Sequence, residues 1–540
     1  MPRLMSSPDG RYVAWVTHGE LQVIMLPSSN TRSARTVMLR SPLTIEALVS
    51  KISSMCWSFP MIAQSALDTL DHAPLSGDIV TLRLMLAYDF RIIVLELETS
   101  TSTSSSIEVV GVVADVEFPA HFGKISAMDF VFDHDSVIIV FELASHASIL
   151  SLTQAQRDDI PNRKFCTGQG LAISPRHGSK DAGAPNSVLA ILVRDKHTDY
   201  VVVMEKGSVV STFKSNTIDA QGVMWAPDEK PMLIVWDSPA YGTRLNFFSA
   251  LGHPLRQFSL GPETSVPAGL GLDFSGTGVS SFDWVKKAGS RTVTVLAIGN
   301  GSKQILLRSQ DSQSLAIETY AFQHPTVLHS SSTTIWQNLG PDAYRPVEGV
   351  WELEMDGIGE VALLVVSSDG QRAASKVHGV PNLVFIWSTK QESVFAAIIF
   401  QKVVRQLIWD GRSSRLFIVT AENTPSFHCW SDRNEPPIQV IPPRLKGLSS
   451  SRWAGQLLRY GSSSPIESSA QDESFFMVSS TKHFDILRLD NNEYTSIFDV
   501  SQRDGDQSPL DLTETSDNLN ARHMQPASSN RTSNGSSIFF

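Results

Sequence analysis

The stretch VVSTFKSNTIDAQGVMWAPDEKPMLIVWDSPAYGTRLNFFSALG, residues 209–252, decides the fold. Apolar and β-branched residues recur in short runs that turn-forming residues separate. These runs predict four strands, namely VVSTF (209–213), GVMW (222–225), MLIVWD (232–237) and TRLNFFSALG (243–252). Four strands in ~40 residues make one small sheet, which cannot bury its apolar faces alone. The stretch therefore predicts one unit of a repeat architecture.

Five tryptophans close similar short phrases along the chain. They are Trp57 (SSMCW), Trp225 (QGVMW), Trp284 (SSFDW), Trp409 (RQLIW) and Trp453 (SSRW). A short phrase that recurs in this way marks a repeat protein. Because a large aromatic side chain buries ~150–250 Å², we expect all five to be structural repeat anchors that pack between neighbouring sheets.

The whole chain follows the same pattern of short strands and turns, with little helical periodicity. Strand-like runs predict nine units, at 12–26, 52–98, 125–152, 170–205, 209–252, 279–309, 360–387, 404–430 and 449–500. The predicted fold is all-β, a WD40-like β-propeller of about nine four-stranded blades. One large ring over 1–500 is favoured, because an open ring would expose strand edges. Two smaller or unequal propellers are the alternative.

Several segments are predicted to lie outside the blades. Loop insertions are expected near 101–106, 176–186, 261–278, 310–346 and 460–473. Residues 501–540 are polar and aperiodic, and we interpret them as a disordered tail. Ser464 and Ser508 each precede proline within such segments. They are candidate phosphorylation sites, where added negative charge would alter a docking contact.

The composition restricts the function classes. Hydrophobic residues make up 42% and charged residues 18% of the chain, as in a globular protein. The net charge of -11 disfavours direct nucleic-acid binding through a general basic face. The apolar runs are of strand length, far short of the ~20 residues that a membrane helix needs, so no membrane partner is expected.

Motifs of catalysis are missing from the sequence. It contains no GxxxxGK[ST] phosphate loop, HExxH, CxxC pair or GxSxG nucleophile elbow. Three scattered cysteines do not form a zinc pattern or a disulfide framework. We therefore expect a protein that is not an enzyme, with no catalytic, cofactor-binding or metal-binding residues.

Longer blocks resemble the WD repeat-containing protein 8 family of centrosomal and spindle-pole-body WD-repeat proteins. The resemblance is carried by DYVVVMEKGS through LRQFS (199–259) and GVPNLVFIWS through HCWS (379–431), with shorter matches at SPDGRYVAWV (7–16), VSSFDW (279–284) and FFMVSSTKHFDILRL (475–489). The matches occur in the family's order, as in a divergent, fungal-like member. The family begins with an additional strand before SPDG, whereas only MPRLMS precedes it here.

The resemblance implies a non-catalytic scaffold or adaptor at the microtubule-organising centre. Such a protein helps anchor microtubule minus ends and assemble the mitotic spindle. The implied partner is a coiled-coil spindle-pole protein of the SSX2-interacting-protein type, joined in some lineages by a minus-end kinesin. The implied location is the cytoplasm and cytoskeleton, at the centrosome or spindle pole body. The alternatives are a large-propeller translation-initiation factor acting on ribosome or RNA, and a propeller enzyme.

Overall fold

The chain folds into a succession of antiparallel β-sheets. A computed structural model describes residues 4–498 except 8–9, 18–19, 27–34, 39–51, 59–60, 63–78, 101–106, 155, 175–186, 227–231, 261–280, 287–292, 299–302, 310–316, 342, 354–360, 368, 392, 411–413, 432–434, 451, 460–473, 481–482 and 491–492. The described part contains no α-helix. Its only helical turns are the 3₁₀ segments Ala120–Phe122, Pro239–Tyr241 and Pro443–Leu445.

The first three sheets each run from an inner to an outer strand. Sheet 1 comprises β1 (Leu4–Ser6), β2 (Tyr12–Thr17), β3 (Glu20–Met25) and β4 (Arg35–Met38). Sheet 2 comprises β5 (Ser54–Trp57), β7 (Ile79–Tyr88), β8 (Arg91–Ser100) and β9 (Ile107–Glu117), with the short β6 (Met61–Ile62) also paired to β7. Sheet 3 comprises β10 (Ile125–Phe130), β11 (Ser136–Phe141), β12 (Ala147–Ser151) and β13 (Arg157–Ile160).

The next three sheets repeat this order. Sheet 4 comprises β14 (Leu171–Ile173), β15 (Val188–Asp195), β16 (Thr198–Glu205) and β17 (Ser208–Lys214). Sheet 5 comprises β18 (Ala220–Trp225), β19 (Met232–Asp237), β20 (Thr243–Ser249) and β21 (Pro254–Leu260). Sheet 6 comprises β22 (Ser281–Lys286), β23 (Val293–Ile298), β24 (Lys303–Ser309) and β25 (Ile317–Gln323).

The last three sheets complete the series, and sheet 7 is enlarged. The segment before it forms β26 (Val327–His329), β27 (Thr334–Gly340), β28 (Ala343–Pro346) and β29 (Val350–Glu352). Sheet 7 comprises β30 (Val361–Val366), β31 (Arg372–Val377), β32 (Leu383–Ser388) and β33 (Ser393–Ile399), extended by β27 and β28. Sheet 8 comprises β34 (Val404–Trp409), β35 (Leu416–Thr420), β36 (Phe427–Trp430) and β37 (Ile438–Val440). Sheet 9 comprises β38 (Ala454–Arg459), β39 (Ser474–Ser479), β40 (Phe484–Asp490) and β41 (Glu493–Ser496).

Apolar side chains between the sheets form the core. Buried clusters join sheet 1 to sheet 2, 2 to 3, 3 to 4 and 4 to 5. Two more join sheet 7 to sheet 8 and sheet 8 to sheet 9. Strand β22 lies beside β30, so sheet 6 neighbours sheet 7. The sheets joined by these clusters thus bury apolar faces against their neighbours, as the blades of a propeller do.

The last sheet packs against the first. Leu4 and Val13 of sheet 1 share a buried cluster with Phe475 of sheet 9. The side-chain amide of Gln456 in β38 also donates a hydrogen bond to Ser6 Oγ at 3.3 Å. With nine sheets of four or more strands in sequence order in the described part, this contact gives a WD40-like β-propeller closed by its terminal sheets. It favours one ring over two unequal propellers.

The predicted grouping of strands within residues 209–252 is wrong by one strand. VVSTF lies in β17, which pairs with β16 and is the outer strand of sheet 4. Sheet 5 therefore begins at Ala220 and continues to Leu260. Spacing along the chain shows where strands lie, but it does not show which four consecutive strands share hydrogen bonds.

Two further predictions differ from the structure. The run at 449–453 is not a strand, since β38 begins at Ala454. The predicted loop at 310–346 contains β25, the outer strand of sheet 6, and the hairpin β27–β28. β27 pairs in parallel with β33, an arrangement that local sequence does not reveal. Tyr344 Oη lies 2.6 Å from His428 Nδ1 in β36, so the hairpin is held against sheet 8.

Other predicted features lie outside the described residues. They are the loop insertions at 101–106, 176–186, 261–278 and 460–473, the tail at 501–540, and the candidate phosphorylation sites Ser464 and Ser508.

Candidate interaction surface

The described linkers that join sheets 3, 4 and 5 lie on one face of the ring. In a meander of four antiparallel strands, the loops between strands two and three open on the same side as the linker to the next sheet. We call this side the linker face. Over sheets 3 to 5, its loops cover residues 142–146, 161–170, 196–197, 215–219 and 238–242.

The linker at 161–170 is tied to both of the sheets that it joins. Its Arg163 backbone N–H donates to the Ser145 carbonyl oxygen at 2.8 Å, and its Lys164 N–H donates to Leu192 at 3.1 Å. The Arg194 N–H in turn donates to the Asn162 carbonyl oxygen at 2.8 Å. These bonds satisfy backbone groups of residues 162–164 and hold in place the side chains that this part of the linker carries.

Lys164 links this linker to two sheets. Its ammonium group donates to Asp199 Oδ2 at 2.7 Å, to Asp219 Oδ1 at 2.8 Å and to the Ala220 carbonyl oxygen. Asp199 lies in β16 of sheet 4, and Ala220 begins β18 of sheet 5. All three donors of the ammonium group therefore have partners. The side chain is 5% exposed, so these ion pairs are largely shielded from water.

Arg194 completes the network from β15. Its guanidinium donates to Asp199 Oδ1 at 2.7 Å and to Asp219 Oδ1 at 2.6 Å. Burial raises the pKa of Asp199, but hydrogen bonds from Arg194 and Lys164 outweigh it and hold that pKa below its ordinary value. The hydrogen bond from Lys164 likewise lowers the pKa of Asp219. Hydrogen bonding to Asp199 raises the pKa of Arg194, so Asp199, Asp219 and Arg194 are charged at neutral pH.

A polar cavity of about 490 Å³ opens above this network. Its lining residues are Ser145, Asn162, Arg163, Lys164, Phe165, Arg194, Asp219 and Gln221. Arg163 is buried, and its Nη2 donates to the carbonyl oxygens of Phe141 and Ala144. The ammonium of Lys164 and the carboxylate of Asp199 are engaged within the fold, so this part of the cavity wall is a rigid polar patch rather than a reactive one.

Exposed apolar side chains lie in the loops of the same face. Leu143 is 74% exposed, Ile218 49% and Tyr241 46%. Leu143 lies in a loop of sheet 3, and Tyr241 lies in a loop of sheet 5. Ile218 lies in the linker between sheets 4 and 5. Large apolar and aromatic side chains beside fixed charges are typical of protein-binding surfaces. We define the candidate interaction surface as these three residues together with the polar cavity.

The predicted tryptophan anchors lie on or beside inner strands, away from this surface. Trp57, Trp225, Trp409 and Trp453 are buried. Their indole N–H groups donate to backbone carbonyl oxygens of the preceding sheet, namely Met5 at 3.0 Å, Ala172 at 3.0 Å, Val365 at 3.2 Å and Asn423 at 2.9 Å. Trp284 lies in β22, and its side chain is outside the described residues.

Sequence reasoning missed the charged network. Asp199 and Asp219 lie 35 and 55 residues beyond Lys164, and no repeat phrase includes any of the three. An observable signal was the adjacent basic pair Arg163 and Lys164 in a short linker, but that signal does not identify the acidic partners.

A metal centre and a membrane-spanning helix both need features that the described residues lack. No group of three or more His, Cys, Asp or Glu side chains is placed to hold a metal ion in this part of the chain. Within the same residues, no helix has the length and apolar character needed to cross a membrane.

Comparison with known proteins finds a WD-repeat relative. No family model matches the chain. Mouse WD repeat-containing protein WRAP73 is 23% identical over 288 residues, which cover 47% of this chain and 57% of that protein. The chain thus spans little more than half the length of this relative. The sequence similarity supports the WD-repeat family as a whole.

Two solved structures align over most of their own length. Kluyveromyces lactis Hsv2 aligns with a TM-score of 0.35 and 10% identity, over 68% of this chain and 94% of that one. The β-propeller domain of Myceliophteria thermophila Cps50 (Swd1) aligns with a TM-score of 0.32 and 10% identity, over 79% of this chain and 96% of that one.

Proposed function

We propose that this chain is a non-catalytic WD-repeat scaffold that acts as an adaptor at the microtubule-organising centre. It helps anchor microtubule minus ends and assemble the spindle through a coiled-coil partner of the SSX2-interacting-protein type. A minus-end kinesin is a further candidate partner. The protein is then located in the cytoplasm and cytoskeleton, at the centrosome or spindle pole body.

The candidate interaction surface carries the scaffold part of the proposal. Exposed Leu143, Ile218 and Tyr241 lie in loops of one face, on a ring whose sheets are packed together by buried cores. A few apolar and aromatic anchors on a rigid body can supply most of the energy of partner binding. The ammonium of Lys164 is committed to Asp199 and Asp219, which favours a structural role over acid–base catalysis.

The location and partner rest on sequence resemblance. The blocks at 199–259 and 379–431 resemble the WD repeat-containing protein 8 family, and the mouse relative supports WD-repeat similarity in general. Fold alone does not specify function, so an experiment in cells must test this part.

The experiment compares fluorescent fusions of the wild-type chain and a surface variant. The variant carries Leu143→Asp, Ile218→Asp and Tyr241→Asp. The wild-type fusion is expected to form discrete spots that coincide with a spindle-pole marker in dividing cells. The variant is expected to be folded but diffuse, because charge replaces the apolar anchors. Circular dichroism and thermal unfolding of purified protein check that it folds.

Leu251→Asp provides the control. Leu251 is 59% exposed and lies in the turn between β20 and β21, on the side opposite the linker face. This variant should retain the spots. A diffuse wild-type fusion that co-sediments with ribosomes would contradict the proposal and favour the translation-factor alternative. Spots retained by the triple variant would contradict the assignment of the surface.

A further inference from the structure

A second cavity lies on the flank of the ring, between sheets 3 and 4. It has a volume of about 490 Å³, and strand β13 and strands β15 to β17 contribute its walls. Asn162 lines both this groove and the polar cavity of the linker face. We call it the flank groove. It does not include Leu143, Ile218 or Tyr241, so its role can be tested separately from the candidate interaction surface.

The floor of the flank groove is apolar. Ile160, Val193 and Met204 line it, and each is buried within the core shared by sheets 3 and 4. Val209 of β17 also lines it and is 59% exposed. A side chain that entered the groove would bury apolar surface against this floor, which is favourable at roughly 25 cal/mol per Å².

The rim of the groove is acidic. Asp158, Asp159 and Asp195 line it, and the lining residues include no lysine, arginine or histidine. Asp159 is already paired with Arg157 at 2.8 Å, whereas Asp158 has a single long contact with Gln156, at 3.5 Å. All three aspartates are exposed.

The neighbouring turns carry two cations that do not cancel the acidic rim. Lys196 follows Asp195 and Lys206 precedes Gly207, and both lysines are exposed outside the groove lining. An ammonium group on a flexible stem in water screens a carboxylate only weakly. Asp158 and Asp195 are therefore available to an incoming positive charge.

We propose that the flank groove docks a segment of a partner polypeptide that presents an aliphatic side chain next to lysine or arginine. The aliphatic side chain fills the space above Ile160 and Met204. The basic side chain pairs with Asp158 or Asp195. Such complementarity speeds encounter and rejects acidic segments, which would meet like charge at the rim. The net charge of -11 of the whole chain acts in the same direction.

The test is selection of a random-peptide phage library on the full-length protein. Enriched peptides should combine aliphatic residues with lysine or arginine. Their binding is then measured by fluorescence anisotropy on the wild-type chain and on a variant with Asp158→Lys and Asp195→Lys. Because the attractive contact at Asp158 or Asp195 becomes repulsive, the dissociation constant is expected to rise at least about tenfold.

Two further variants make the result specific. The control, with Glu348→Lys and Glu435→Lys, makes the same change in net charge at exposed sites in other parts of the chain, so it should bind like wild type. Val209→Asp alters the apolar side of the groove at an exposed position that should not disturb folding, and it should weaken binding. The Leu143, Ile218 and Tyr241 variant should bind the peptides normally even if the proposed function fails.

Three outcomes would overturn the proposal. Enriched peptides could be acidic or lack basic residues. The basic peptides could bind the Asp158 and Asp195 variant as tightly as the wild-type chain. Finally, the wild-type chain could dimerise in a concentration-dependent way that the same substitutions abolish, which would assign the groove to a second copy of this chain.

Discussion

The indole Nε1 of Trp225 donates a hydrogen bond of 3.0 Å to the carbonyl oxygen of Ala172 in the preceding sheet. Trp57 and Trp409, which also end inner strands, make the same contact to Met5 and Val365. The tryptophan of one sheet thus fills the gap to the sheet before it and satisfies a backbone carbonyl there. The short phrase ending in tryptophan recurs in the sequence because this contact between sheets recurs in the structure.

Replacement of Trp225 by phenylalanine should destabilise the protein by about 2 kcal/mol. The variant keeps an aromatic ring but removes the indole donor to the Ala172 carbonyl and creates space in the core. Urea unfolding, followed by the circular dichroism of the peptide backbone rather than by tryptophan fluorescence, measures the change in the free energy of unfolding. Tyr241→Phe, at an exposed position, should have almost no effect. Equal midpoints for the two variants would contradict the anchoring role.

Gly222 tests the close approach within sheet 5. A methyl group added at Gly222 would overlap the indole ring of Trp236 on the paired strand. Gly222→Ala should therefore lower stability by about 1–3 kcal/mol through overpacking. Gly111 lies in β9 with no atom within 4 Å of the added methyl position, so Gly111→Ala should be neutral or slightly stabilising. A thermal shift of the same size in both variants would refute this account.

Lys164→Met should destabilise the junction of sheets 3, 4 and 5 by about 3 kcal/mol. The change leaves buried Asp199 with Arg194 as its one remaining cationic partner, and removing one member of a buried ion pair is costly. Hydrogen exchange should accelerate in β16 and β18 first. Lys196→Met removes an exposed lysine from the turn between β15 and β16 of sheet 4, and it should leave hydrogen exchange unchanged. Unaltered exchange in the Lys164 variant would show that the network contributes little.

The same network gives a pH dependence. The folded pKa of Asp219 lies below its unfolded value of about 3.9, so Asp219 contributes stability above that pH. This contribution is lost as the pH falls from about 5 through the folded pKa. Asp219→Asn should be less stable than wild type at pH 7, and the difference should shrink toward pH 3. Urea midpoints across this range measure it, and a constant difference would contradict the assignment.

The sequence allowed the repeating sheets to be predicted because each strand carries its own local pattern. Trp225 and the turns around it fall within one blade, so their spacing is visible in the chain. The assignment of VVSTF to sheet 5 was wrong because hydrogen-bond partners are not encoded in spacing. Its strand, β17, has mostly exposed side chains and lies at the outer edge of sheet 4.

Long-range features could not be predicted in the same way. The parallel pairing of β27 with β33 joins Thr334 to Ala396, and the strands of sheet 7 lie between them in the chain. Lys164 and Asp199 are brought together only when the linker crosses between the sheets. Both features form only when the sheets are assembled into the ring. The local pattern of apolar and polar residues therefore does not predict them.

Contact between sheet 9 and sheet 1 is the central claim, and a cross-link tests it most directly. Ser6→Cys and Gln456→Cys are combined with Cys166→Ser, which removes the exposed native thiol, and a short bismaleimide is added. A single ring predicts an efficient link between positions 6 and 456 within one monomer. Ser126→Cys with native Cys166 is the positive control, since Ser126 bonds the Cys166 backbone. If the control variant cross-links but the Ser6→Cys, Gln456→Cys variant forms no link within one monomer, the closed ring is contradicted.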